Sequence, residues 1–184
     1  MDGAPPIRAE SARYTLAVGG GGAFSPGGVG ATGHLDLALR FTVVPRLSIA
    51  LDGAFTPVRT KLRGPEGDAN VAWYVAGVSF GFCASDPAAP VRFRSGAGVW
   101  LGWLNVSGQA APPYVNTHAD VVSIIPHLDA GLSFSLTRVV SISTGVSLGI
   151  SAPPASIRFA GREVATWGRP LWMGGLALES ALNR

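Results

Sequence analysis

The chain has 184 residues, of which 47% are hydrophobic and only 14% are charged, and its formal net charge is +3. The length fits one domain, the charged fraction is well below the ~25% of an ordinary soluble domain, and no apolar run reaches the ~18 residues of a transmembrane helix. The scattered basic residues form no stripe of the kind that binds nucleic acid, and the lone Cys83 excludes a disulfide framework and a cysteine metal cluster.

The elements along the chain show a period of two. From His34 to Val43, large apolar residues alternate with polar or small ones, so they fall on one face of a strand. After Pro45 and Arg46 the alternation restarts at Leu47, and the two runs predict a hairpin. Comparable runs predict eight strands in total, near 14–24, 34–43, 47–56, 71–84, 91–105, 124–137, 140–151 and 167–182.

The connections alternate in length. Segments rich in Gly, Pro, Asn and Asp predict long loops near 25–33, 59–70, 107–121 and 156–166, and the connections near 45–46, 86–90 and 138–139 are short. With eight strands, both termini fall on the side of the short turns. The glycines at 19–22 and 27–30 are interpreted as close-packing and turn residues, because no helix and no P-loop lysine follow them.

The position of the bulky side chains distinguishes a soluble barrel from a membrane barrel. One face of each run carries Leu, Val, Ile and Phe, and the other carries mostly Gly, Ser, Ala and Thr. A soluble barrel needs large apolar residues inside and charge outside. We therefore predict an all-β, up-and-down antiparallel transmembrane β-barrel of about eight strands, with its apolar face toward lipid and small residues inside. A soluble ligand-binding barrel of lipocalin type is the alternative.

Aromatic residues on the predicted outward face cluster toward strand ends, as expected for rings at the level of lipid headgroups. They are Tyr14, Phe24, Phe41, Phe55, Tyr74, Phe82, Phe93, Trp103, Phe134 and Trp172. Phe80 and the inward-facing Trp100 do not follow this pattern.

Through dyad repeats such as His34-Leu-Asp-Leu-Ala-Leu-Arg-Phe41, and through the long–short rhythm of its connections, the chain resembles the eight-stranded outer-membrane barrels of the OmpA/OmpX-like family. The resemblance extends from about Ala12 to Leu182 and implies a bacterial outer-membrane location. Members of that family typically end in an aromatic residue, whereas this chain ends in Asn183-Arg184. We expect residues 1–11 to form a flexible extension and residues 12–184 to form the barrel. The first residues lack the features of a secretory signal.

Eight ionisable side chains are predicted to face the lumen: Asp36, Arg40, Asp52, Arg92, Arg94, His127, Asp129 and Glu179. Because buried charges need partners, we interpret them as a structural network of salt bridges and hydrogen bonds that plugs the barrel. Counted in residues from the short turns, four of them lie at a similar small distance from that end of the lumen: Arg40, Asp52, Arg94 and Glu179. Asp36, His127 and Asp129 lie further from the short turns. A gated polar path for ions is the alternative interpretation.

Related small barrels include a lipid A deacylase and a palmitoyl transferase, so an enzyme is a second alternative. A hydrolase needs a serine nucleophile, a histidine base and an acidic residue that orients the base. His34 and Asp36, and again His127 and Asp129, lie two residues apart on the inward face, but neither pair has a serine in a recognisable motif. We therefore predict no catalytic residue, no metal and no cofactor.

The expected function is structural or loop-displaying, in adhesion or envelope integrity, without enzymatic activity. A lipid-modifying enzyme and a narrow small-solute channel remain as alternatives. The expected partners are outer-membrane lipid and an unknown ligand of the loops, with no nucleic acid and a monomeric barrel. Arg59, Lys61 and Arg63 in a predicted loop are candidates for contact with lipopolysaccharide phosphates.

Overall fold

The computed structural model describes residues 13–64, 67–86, 89–110, 118–159 and 162–182. The predicted N-terminal extension, residues 1–11, lies outside the described residues. Within the described part of the chain, no helix is long and apolar enough to cross a bilayer.

The described residues form eleven strands, eight of which build the barrel wall. The wall strands are β1 (Tyr14–Ser25), β2 (Gly30–Val44), β3 (Leu47–Phe55), β5 (Gly67–Cys83), β6 (Val91–Ala110), β7 (His118–Ser135), β8 (Val140–Gly149) and β11 (Leu171–Ala181). The three shorter strands are β4 (Thr60–Gly64), β9 (Ala155–Phe159) and β10 (Arg162–Trp167). β4 lies beside β5 in line with β3, and β9 and β10 form a separate two-stranded sheet.

The wall strands close into a ring of antiparallel pairs. The order runs from β3 through β2, β1, β11, β8, β7 and β6 to β5, and β5 pairs with β3. Closure matters because an unpaired backbone group in hydrocarbon costs several kcal/mol, so a bilayer does not tolerate an open sheet edge. The predicted antiparallel barrel of eight strands is confirmed.

The two ends of the barrel differ, as the connections predict. The turn end carries the β2–β3, β5–β6 and β7–β8 connections, together with the first residue of β1 and the last residue of β11. The loop end carries the β1–β2, β3–β5, β6–β7 and β8–β11 connections.

All four predicted long loops contain strand structure. β6 and β7 extend into the segment 107–121, to Ala110 and from His118. The β1–β2 ladder runs as far as the pair Ser25 and Gly30, so only residues 26–29 turn. Gly28 and Gly30 have φ of +105° and +76°, which glycine adopts without steric cost. The segments 59–70 and 156–166 each form a hairpin, made by β4 with β5 and by β9 with β10. Loop-forming composition did not prevent these segments from pairing, since each had a strand partner beside it.

The outward face of the wall carries the large apolar side chains, as predicted. Leu37, Leu51 and Leu101 are 55–61% exposed, whereas the inward-facing Ala50 and Ala54 are buried. Aromatic side chains border this apolar band. Phe55, Tyr74 and Trp103 stand side by side at the loop end, and Tyr14 pairs with Phe41 at the turn end.

The interior has an apolar half at the loop end and a polar half at the turn end. The inward face was predicted to carry mostly Gly, Ser, Ala and Thr, but at the loop end Trp73, Leu104 and Ile125 project inward and are fully buried. These large side chains are buried because the β9–β10 hairpin folds back into the barrel mouth and packs against them.

Candidate functional site

At the polar turn end, Glu179 on β11 joins three other wall strands. Its Oε1 accepts a hydrogen bond from Arg40 Nη1 on β2 at 3.2 Å and another from Arg94 on β6. Its Oε2 accepts from Ser133 Oγ on β7 at 3.2 Å. Glu179 is 2% exposed. One buried carboxylate is therefore shared by two guanidinium groups, an arrangement of charge-assisted bonds that ties opposite walls of the lumen together.

Asp52 lies apart from this group. It stands opposite Ala38, two positions further from the turn end than Arg40. Its carboxylate accepts hydrogen bonds from Ser79 Oγ at 2.7 Å and from the indole of Trp100. Although the sequence placed Asp52 at the depth of Arg40, the register puts it in the middle of the lumen.

The two inward histidines lie near aromatic rings. The ring of His127 stacks on Trp100 with centroids 3.6 Å apart and planes 13° from parallel. His34 Nε2 lies 3.7 Å from Asp36 Oδ1, and its ring centroid is 6.0 Å from that of Trp73. Both histidines are almost fully buried, and the described residues offer no hydrogen-bond partner to either Nδ1.

A central cavity of about 220 Å³ lies among these polar side chains. Seven of the eight predicted lumenal residues line it: Asp36, Arg40, Asp52, Arg94, His127, Asp129 and Glu179. At about 30 Å³ per water molecule in the liquid, the cavity holds a handful of waters and no large solute. Arg92 lies outside this cavity, at the turn-end opening, and donates to Ser133 and Ser141 over 3.5 and 3.4 Å.

Above the cavity, the loop end is filled by a set of apolar side chains that we call the loop-end plug. Its members are Trp73, Leu104, Ile125, Ile157, Trp167 and Leu171, all at most 5% exposed. Trp73 donates its indole N–H to Thr32 Oγ1 at 3.1 Å. Trp167, from the β9–β10 hairpin, reaches across the lumen to the inner face of β6 near Gly102.

The hairpin is fixed to the wall by backbone hydrogen bonds. The Thr166 amide donates to the Gly27 carbonyl, and the Gly168 amide donates to Ser25 Oγ at 3.1 Å. Ser151 Oγ donates to the Trp167 carbonyl at 3.1 Å. The plug was not predicted from the sequence. The alternation does place Trp73 inward, beside the outward Tyr74, but no local pattern shows a loop hairpin entering the lumen.

Two polar groups lie on the outside of the barrel at the loop end. Asp120 Oδ1 accepts from Trp103 Nε1 at 3.0 Å and from Asn105 Nδ2 at 2.8 Å, and His118 lies 3.4 Å from its other oxygen. This cluster was not predicted from the sequence, because the segment 107–121 was expected to be a loop, whereas β6 and β7 extend into it. On β4, Lys61 and Arg63 are exposed on the face opposite the inward Leu62.

No protein-family model and no curated protein matches the sequence. Similarity is found at the level of structure. Neisserial surface protein A superposes with a TM-score of 0.63 at 13% identity, over 92% of this chain and 97% of that one. A major outer membrane protein from Thermus thermophilus gives 0.64 at 11% identity, over 91% and 98%. OprG from Pseudomonas aeruginosa gives 0.58 at 11% identity, over 91% and 96%.

The chain has the fold of the OmpA/OmpX-like outer-membrane barrels. The superposition covers nearly all of both chains in each comparison, so the likeness concerns the whole barrel and not a single hairpin. An outer-membrane location follows from this fold together with the closed ring and the apolar exterior.

Proposed function

We propose that the protein is a closed, non-enzymatic outer-membrane barrel that contributes to envelope integrity or displays its loops to a partner. The observation that carries this proposal is the blocked lumen. The loop-end plug fills one half, and the Arg40–Glu179–Arg94 group crosses the other. A lumen of eight strands is little wider than its own side chains, so these groups obstruct the part of the lumen that the structure describes.

The lumenal polar residues support a structural role better than a catalytic one. A serine hydrolase needs a serine hydroxyl within hydrogen-bond reach of a histidine nitrogen. In the described part of the lumen, the serines that make side-chain hydrogen bonds do so with carboxylates, a guanidinium, a backbone carbonyl or a backbone amide. His127 instead packs flat on Trp100. The geometry supports a network that holds opposite walls together.

Two measurements test the closed, non-enzymatic barrel. Purified, folded protein in a planar bilayer is expected to show no steady conductance, and a stable conductance would contradict closure. Outer membranes containing the wild type, His34→Ala or His127→Ala are expected to give the same lipid A species by mass spectrometry. A lipid change that depends on either histidine would establish the lipid-modifying enzyme instead.

Lipopolysaccharide phosphates are the proposed partners of Arg59, Lys61 and Arg63. The three side chains are exposed, and Lys61 and Arg63 extend from the outer face of β4 at the loop end. Lys61 Nζ lies 3.7 Å from Asp68, so part of its charge is already compensated and Arg59 and Arg63 are expected to contribute more. Guanidinium groups bind phosphate through paired hydrogen bonds.

The test is binding of lipopolysaccharide to the barrel in neutral detergent, with Arg59→Gln/Arg63→Gln compared with the wild type. The control is Arg13→Gln, which removes an exposed arginine at the turn end. We expect weaker binding only in Arg59→Gln/Arg63→Gln. Equal binding by both variants would refute this contact.

A further inference from the structure

A second cavity, of about 100 Å³, opens at the turn end of the barrel. Five arginines line it and no carboxylate does; they are Arg40, Arg46, Arg92, Arg94 and Arg138. Glu179 and Asp129 lie deeper and offset the charges of Arg40 and Arg94, so the positive charge left in the cavity is that of Arg46, Arg92 and Arg138.

Arg92 is the partly buried arginine of this set that has no carboxylate partner among the described residues. Its guanidinium reaches only the hydroxyls of Ser133 and Ser141, both at long hydrogen-bond distance. Its Nε is enclosed and has no partner among the described residues. Within that same part of the chain, no carboxylate lies within 4 Å of the charged groups of Arg46, Arg92 or Arg138. An enclosed N–H donor and positive charge that lack an acceptor destabilise the folded protein, unless a bound anion supplies that acceptor.

Hydroxyl groups line the same cavity. Thr42, Ser48 and Ser141 contribute side chains to the wall, and the enclosed Ser135 Oγ has no hydrogen-bond partner in the described structure. Several guanidinium groups beside several hydroxyls form the donor set that recognises a tetrahedral oxyanion, since every donor can point at one of its oxygens.

We propose that the turn-end cavity is a binding site for one phosphate group, held by Arg92 and completed by Arg46 and Arg138. The cavity of about 100 Å³ has room for a single phosphate group. The group has two possible sources. It is either a free phosphate from the aqueous side of the turn end or the headgroup of an anionic lipid in the adjoining leaflet. This site is independent of the proposed function at the loop end.

The experiment uses the folded barrel in a maltoside detergent free of phosphate. Inorganic phosphate and a short-chain phosphatidylglycerol are titrated separately by isothermal calorimetry. We expect saturable binding of at least one probe, and the tighter of the two identifies the source. Arg92→Gln is expected to weaken that binding about tenfold or more, because it removes the positive charge and the paired N–H donors of the guanidinium. Arg92→Lys, which keeps the charge and loses the fork, is expected to bind with intermediate affinity.

Two further variants keep the test decisive. Arg138→Gln alters an exposed turn residue that is not in the barrel ladder, so it should fold even if Arg92→Gln does not, and it should weaken binding several-fold. Arg158→Gln, which removes an exposed arginine of β9, is the control and should bind like the wild type. Absence of saturable binding for both probes would overturn the site. Binding that Arg92→Gln and Arg138→Gln leave unchanged would overturn it equally.

Discussion

Trp73 on the barrel wall and Trp167 on the β9–β10 hairpin pack with their ring centroids 6.1 Å apart and their planes tilted by 37°. Both indoles are 1% exposed. The pair joins a connecting segment to the wall, because Trp73 belongs to β5 and Trp167 to the chain between β8 and β11. The hairpin is therefore part of the barrel interior and not a free surface loop.

Replacing Trp167 by alanine should release the hairpin. Removing a buried tryptophan typically costs about 3–5 kcal/mol, because the cavity left behind collapses only partly. We expect a loss of that size in the free energy of unfolding, measured by urea titration in lipid vesicles. Trypsin should also cut faster after Arg158 or Arg162, which flank the hairpin turn. The matched control is Trp172→Ala, whose side chain is 47% exposed on the outward face. Equal trypsin sensitivity in the two variants would contradict the plug.

Replacing Glu179 by glutamine should destabilise the turn end. The change leaves Arg40 and Arg94 close together without their shared counter-charge, and breaking a buried ion pair costs about 3–5 kcal/mol. The free energy of unfolding in vesicles measures the loss. Glu163→Gln is the control, because Glu163 is exposed on the hairpin and accepts a hydrogen bond from Ser156 away from the lumenal network. If both variants unfolded at the same urea concentration as the wild type, the lumenal network would have no structural role.

An arginine on the outward face should destabilise the barrel at mid-height, and an arginine in a connection between strands should be tolerated. Leu51 is 61% exposed and pairs with Leu39 and Val78 in the centre of the apolar band. Leu51→Arg should cost about 2–4 kcal/mol, the value for arginine at the bilayer midplane. Val58→Arg is the control, since Val58 is 75% exposed in the β3–β4 connection. Similar stability of the two variants in vesicles would argue against a lipid-facing exterior.

Two adjacent glycines provide a test of strand packing. A Cβ on Gly21 would lie 2.0 Å from the Gly174 carbonyl oxygen, whereas a Cβ on Gly22 would meet nothing within 4 Å. Overpacking costs about 1–3 kcal/mol, so Gly21→Ala should lower the free energy of unfolding by that amount and Gly22→Ala should lower it much less. The same urea titration in vesicles makes the comparison. Equal losses would mean that β1 and β11 do not approach as closely as described.

The barrel wall could be predicted from the sequence because strand alternation is local. The alternating residues from His34 to Val43 lie on the outward and inward faces of β2, and Pro45 and Arg46 form the predicted turn. Loop boundaries were less predictable. Glycine, asparagine and aspartate suggested a loop over 107–121, yet Asn105 and Ser107 pair with Asp120 and His118 as β6 and β7 continue. A neighbouring strand supplies hydrogen-bond partners whatever the local composition.

The sequence by itself determined that this chain is a barrel with lipid outside, since period two and the split between bulky and small residues require nothing from distant parts of the chain. Only the tertiary structure decided what the lumen contains. Arg40, Arg94 and Glu179 meet because the ring closes with a particular register, and Trp167 reaches the interior because a hairpin folds inward. Those contacts join residues up to 139 positions apart, and alternation along one strand carries no information about which strand stands opposite.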